Sequence, residues 1–103
     1  MNAPPLCLTG MLRQSDAPNL RDLALAQIEN GAVVIRDNGL EGIEFGALQV
    51  LLCAAFDADR LGLSCHLDAS AAPAIDRCLA AMHLPDAATF FTISPLTEVS
   101  PTL

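Results

Sequence analysis

The chain has 103 residues, 52% of them apolar, which is enough for one compact domain with a single core and too few for two. Twelve acidic residues oppose five basic ones, all arginine, and a formal charge of -7 repels a phosphate backbone or an anionic membrane surface. Nucleic acid is therefore excluded as a leading partner, and direct membrane insertion is not expected: Asp57, Asp59 and Arg60 interrupt the longest apolar run before it reaches the ~18 residues of a membrane span.

Met-Asn-Ala-Pro-Pro, at the start, has neither the basic region nor the apolar segment of a secretory signal, so a cytoplasmic location is expected. Leu6, Leu8, Met11 and Leu12 alternate partially around Gly10, as in a strand that bends or bulges. Turn formers from Ser15 to Asn19 follow, and Asn19 is placed to cap a helix carrying Leu20, Leu23, Ala24 and Ile28 at helical spacing. Asn30-Gly31 ends it. Ala32 to Ile35 is a continuous apolar run expected to be a strand buried on both faces, stopped by the polar turn Arg36-Asp37-Asn38-Gly39.

A second helix is predicted from Gly46 to Leu61, with an apolar face of Leu48, Leu51, Leu52, Ala55 and Phe56, and Gly62 closes it. Leu63 to Leu67 alternates as a third strand. Asp68 or Ser70 can cap a third helix that has Pro73 in its first turn and Ile75, Cys78, Leu79 and Met82 as its inner stripe, ending at Pro85. Phe90 to Ile93 is predicted as a last short strand. One domain over 1–93 and a loose tail over 94–103, with two prolines and no periodic pattern, complete the reading. Strands alternate with helices long enough to serve as parallel crossovers, so a layered α/β domain is expected.

The "AVVIRDN" strand, the "GALQVLLCAAFDADRLG" helix and the "SCHLDASAAPAIDRCLAAMHLPD" strand and helix, in that order, resemble a STAS domain, the fold of sulphate transporters and anti-sigma factor antagonists. The resemblance runs from Leu6 to Phe91. It implies a four- to five-stranded mixed, mainly parallel sheet with helices mostly on one side, and a binding surface around the start of the second helix. Anti-sigma factor antagonists carry an acid, two hydroxyl residues, a glycine and a leucine in that segment. Here Glu44 stands for the acid, Phe45 and Gly46 replace the hydroxyl residues, Ala47 replaces the glycine and Leu48 matches.

Gly46 therefore occupies the place where the family's phosphorylation switch needs Ser or Thr, and no Ser, Thr or Tyr occurs between Asp16 and Gly62. A charge near -2 at a helix N-terminus is what alters partner affinity in a switchable relative, and this chain is expected to lack it. The resemblance implies a non-catalytic domain that binds a bacterial signalling protein, such as an anti-sigma factor or kinase, through Asp37, Asn38, Gly39, Glu44, Phe45, Gly46 and Gln49. The alternative it implies is a small subunit of a lipid ABC transporter, docked on the transporter ATPase. No cofactor is expected.

The residues also admit other readings. Asp37 and Glu44 as a general acid and base would need a cleft and perturbed pKa values that so little polar chemistry does not provide. Glu44 is expected to cap the second helix, contributing about 0.3–1 kcal/mol, and Asp37 to serve its turn. Phe45 is either tucked into the core or an exposed anchor. His66 and His83 with Cys65 and Cys78 lack the spacing of a zinc site, and adjacent strand residues such as Cys65 and His66 point to opposite faces. Cys7, Cys53, Cys65 and Cys78 are isolated, as in reduced thiols buried in a cytosolic protein.

Overall fold

The computed structural model describes residue 4 and residues 6–94. In β1 (Leu6–Leu12), Leu6 and Leu8 are fully buried while Cys7 and Thr9 are exposed, the two-residue period of a strand with one covered face. A 3-10 turn over Gln14–Asp16 leads into α1 (Ala17–Glu29), which has Pro18 in its first turn. Asn19 lies inside that turn and does not cap it. The start is set instead by proline, whose fixed φ and missing N–H suit the first helical positions, and by the Asp16 carboxylate, which accepts the Arg13 N–H at 2.8 Å.

Gly31, at φ +94°, ends α1 as expected. Gln27, 7% exposed, satisfies both ends of its amide: it donates to the Pro4 carbonyl at 3.1 Å and accepts the Val34 N–H at 2.6 Å. A buried amide with both ends paired fixes α1 against the next strand without an unsatisfied group.

That strand, β2 (Val33–Ile43), runs far past the predicted stop. Arg36 to Gly39 do not end it, because seven residues of β1 from Leu6 to Leu12 face nine of β2 from Ile35 to Ile43, and the register slips between Leu8 and Gly10 and again between Gly10 and Met11. Two extra residues in one strand are two bulges, so the turn formers bend the strand rather than reverse it. Because two slips restore the parity, Ile35 and Ile43 both remain buried. Gly10 supports the bend expected of it with φ +62°.

In α2 (Phe45–Arg60), Ala47, Leu48, Leu51, Leu52, Ala54, Ala55 and Ala58 are buried. Phe56 is not: it falls at the edge of the stripe, is 57% exposed, and meets Phe90 edge-on with ring centres 5.9 Å apart. The helix closes with the Leu63 N–H on the Ala58 carbonyl at 2.8 Å and the Gly62 N–H on the Asp59 carbonyl at 3.0 Å.

After β3 (Cys65–Asp68) and a 3-10 turn over Ala69–Ala71 comes α3 (Ala72–Ala81). Neither Asp68 nor Ser70 caps it, since both side chains bond to β2. The same kind of closure as in α2, Leu84 N–H to Leu79 carbonyl at 2.9 Å, ends α3 before Pro85 with His83 at φ +59°, leaving Met82 47% exposed rather than on the inner stripe. Phe90 belongs to α4 (Ala87–Phe90), and only Thr92–Ser94 form the last strand, β4. Ser94 thus pairs in the sheet; the rest of the predicted tail lies outside the described residues.

The four described strands lie in the order β1-β2-β3-β4 with every pair parallel, so the α/β expectation holds and the mixed sheet is corrected to an all-parallel one. Each strand sits beside its predecessor, and α1, α2 and α3 pack on one face of the sheet. Leu6, Leu8, Val33, Ile35, Cys65 and Leu67 are buried beneath them, together with Leu48, Leu51, Ile75 and Leu79. Each fully buried aliphatic side chain contributes about 1.5–3 kcal/mol. Among the described residues no helix covers the other face, and Val34 on it is 37% exposed, so β2 is not the strand buried on both faces that its apolar run predicts.

Candidate functional site

The predicted site residues fall into two groups. β1 and β2 stay paired to Leu12 and Ile43, whereas β3 and β4 stop level with Asp68 and Ser94, so the sheet narrows from four strands to two. Asp37, Asn38 and Gly39 sit at this step. Glu44, Phe45, Gly46 and Gln49 sit past the end of the two-stranded part, about 13 Å farther on, counted from Leu8 to Leu12 along β1 at ~3.3 Å per residue.

At the step, Asp37 Oδ1 accepts the N–H of Gly39 at 3.0 Å and of Leu40 at 2.8 Å, so it serves the local turn as expected while the chain remains a strand. Hydrogen bonding from the Ser70 hydroxyl, and then from the Leu40 N–H, holds its carboxyl below the ordinary carboxylate range against a smaller opposing effect of burial. Asp68, only 6% exposed, is a residue the sequence reading assigned to a helix cap. Its Oδ2 accepts the Asp37 N–H at 2.9 Å and its Oδ1 lies 3.9 Å from the Arg36 guanidinium. The motif "LDAS" could have suggested such a tie, since short polar residues at a strand end favour backbone bonds over continuation of the ladder. Both carboxylates are tied into the frame of the sheet.

At the start of α2, Glu44 occupies the N-cap position but does not cap its own helix with its side chain. Glu44 Oε1 accepts the Gln14 N–H at 2.8 Å and Oε2 lies 4.0 Å from the Arg13 guanidinium, so the carboxylate ties the end of β1 to the end of β2. The Glu44 N–H donates to the Leu12 carbonyl at 2.8 Å, a second tie between the same ends. Phe45 is half-buried and packs against the core, bracing the turn with part of its ring outside. Gly46 lies beneath Gln14: a Cβ there would meet Gln14 Cγ at 2.7 Å and Gln14 Cβ at 3.1 Å. Gln49 is exposed. A hydroxymethyl group at position 46 requires Gln14 to move, a restriction invisible from the segment alone because Gln14 is 32 residues away in sequence.

A groove of about 370 Å³ starts beside Gly46 and Gln49 and runs between α1 and α2 over Leu25, Ile28, Val50 and Cys53. On the open sheet face, His66 Nδ1 lies 3.3 Å from Ser94 Oγ across β3 and β4. A nucleophile and base need a third group to orient the base, and Asp68, on the same face, is already bonded to Asp37 and paired with Arg36. Cys65 points into the core, where burial pushes its thiol up to about 11, and His66 points the other way. Cys7 and Cys53 are exposed, contrary to the expectation of four buried thiols. Among the described residues no helix is long and apolar enough to cross a membrane. Compared with family models, curated proteins and solved structures, the chain matches none.

Proposed function

We propose that the chain is a non-catalytic, STAS-like docking domain that offers a partner protein the exposed turn at the start of α2 without a phosphorylation switch. The observation carrying this reading is the lock on that turn, in which Glu44 holds the Gln14 N–H at 2.8 Å and the Gln14 stem lies across Gly46. A turn already held in place loses little conformational freedom when a partner covers it, which favours binding. The open end of an α/β sheet, past the carboxyl ends of its strands, is also where such folds seat ligands. Arg13, Gln14, Glu44 and Gln49 supply an exposed, mostly polar rim there, and the edge of Phe45 an apolar element.

The partner class is a bacterial signalling protein such as an anti-sigma factor or its kinase; a transporter ATPase uses the same rim under the alternative. Gln49→Arg tests the surface, because Gln49 is exposed and its replacement leaves the core intact, whereas Phe45→Asp also disturbs packing. Capture from the native host, with the partner named by mass spectrometry, should fall at least tenfold for Gln49→Arg at unchanged circular dichroism. Equal capture by wild type and variant overturns the reading. Incubating the folded domain with the captured kinase and γ-labelled ATP should leave it unlabelled.

A further inference from the structure

We propose that the outer flank of α1 and α2 is the interface of a two-fold homodimer, on a surface that adjoins the docking turn at Gly46 and Gln49 and extends away from it along both helices. Leu25 and Phe56 are 49% and 57% exposed on the outward side of the helix layer, and the groove between the helices has Ile28 and Val50 in its floor. An apolar strip of this kind on a helix layer marks a contact surface.

The charges that border the groove identify the occupant as a second copy. Arg21, in the first half of α1, lines one end, and Asp57, near the end of α2, lines the other. Arg21 has no ion-pair partner among the described residues; Asp57 is paired with Arg60 at 2.7 Å and keeps its second oxygen. Both helices cross between parallel strands on the same face, so they run in the same direction, and the positive and negative ends of the groove follow their order. A copy rotated by 180° about an axis perpendicular to the helices reverses that order. Arg21 of each chain then meets Asp57 of the other, the apolar strip meets itself, and the helix dipoles oppose head to tail.

Gln49, Cys53 and Asp57 occupy successive turns of α2, which places the exposed Cys53 near the middle of the groove and close to the axis. With α1 about 20 Å and α2 about 24 Å long, the contact is at the small end of stable interfaces, so the dimer forms and dissociates in the micromolar range.

Sedimentation equilibrium of the full chain between about 1 and 200 µM tests this, with circular dichroism confirming that each variant is folded. Wild type should dimerise. Arg21→Asp and Asp57→Arg, each of which sets like charges against each other, should raise the dissociation constant at least tenfold, and the double exchange should restore it to within about threefold of wild type. Arg60→Ala, which removes only the partner within the helix, should leave it unchanged. Mild copper-catalysed air oxidation should link two chains through Cys53 and not through Cys7 on the opposite side of the molecule. A wild-type chain that stays monomeric at 200 µM overturns the proposal and leaves the groove to another occupant; so does a dimer that the double exchange fails to rescue, or cross-linking through Cys7.

Discussion

Cys7 and Cys65 sit on the same four-stranded sheet, one on each face. Cys65 lies beneath the helices beside Leu67 and Val33, and its thiol is pushed up to about 11 by burial. Cys7, opposite Arg36 in the ladder, lies in water with Thr9, Val34 and His66 on the same side. Parallel sheets are usually covered on both faces, with Val and Ile throughout their strands. Here one face is covered by α1, α2 and α3 and the other carries Thr9, Arg36, His66, Thr92 and Ser94, so each strand reads as alternating even though the sheet is parallel. What decides exposure is the composition of each face, and a parallel connectivity tolerates an open one when that face is polar.

The largest effect separates two adjacent residues of β2. Ile35→Ala should destabilise by about 2–5 kcal/mol in urea unfolding, while Val34→Ala should stay within about 1 kcal/mol. Equal losses would show that the open face is covered in solution and would break the comparison.

Alkali sharpens it next. The Cys65 thiol ionises near 9 in the unfolded chain and near 11 when folded, so the unfolded chain releases its proton first. The resulting stability is complete below pH 9 and should decline by up to about 1.4 kcal/mol per pH unit from there to pH 11. Cys65→Ala should flatten that slope; an unchanged slope would show that the covered face does not bury its thiol and would remove the distinction between the two faces.

A smaller effect tests how tightly the covered side is closed at its end. Gly46→Ala brings a methyl onto Gln14 and should cost about 1 kcal/mol, with φ at that position raising no objection of its own. In a Gln14→Ala background the 2.7 Å contact is gone and only the Cβ contact at 3.1 Å remains, so the same change should cost less or be neutral, the residual crowding offset by the stiffer unfolded chain. Chemical denaturation of the four chains measures the coupling, and additive effects would mean that Gln14 does not lie on Gly46.

The smallest effect belongs to acid and to the step in the sheet. Ser70 and the Leu40 N–H depress the Asp37 pKa, so its contribution is complete above the ordinary value of 3.8 and is lost as the pH falls through the lower folded value. Asp37→Asn should reduce the slope of stability against pH below about 4, measured by thermal melts. An unchanged slope would assign acid sensitivity elsewhere.

Most element positions were legible because they depend on local chemistry: Gly31 and Gly62 supplied left-handed helix ends, and Gly10 supplied the bend in β1. What escaped was decided by partners distant in sequence. Asp37 to Gly39 has the composition of a turn, and only pairing with β1 on one side turns it into a bulged strand. Phe56 belongs to an apolar helical pattern, yet Ala58 fills the next place on the stripe and leaves the ring outside. In the candidate site, Glu44 and Gly46 were legible as positions, while their roles were set by Gln14 and Arg13 from the end of another strand.

The narrowing of the sheet at Asp68 has a mechanical consequence. Past that level, among the described residues, β1 and β2 pair only with each other, and a two-stranded ribbon twists more and bends more readily than a strand held on both sides. Gly10 and Gly39, both at positive φ, mark its base, and α2 is attached to its tip through Glu44. The ribbon is thus a short torsion arm with the two bulges at its base. Amides of residues 40–43 should accordingly exchange with solvent sooner than those of residues 33–35 in the same strand.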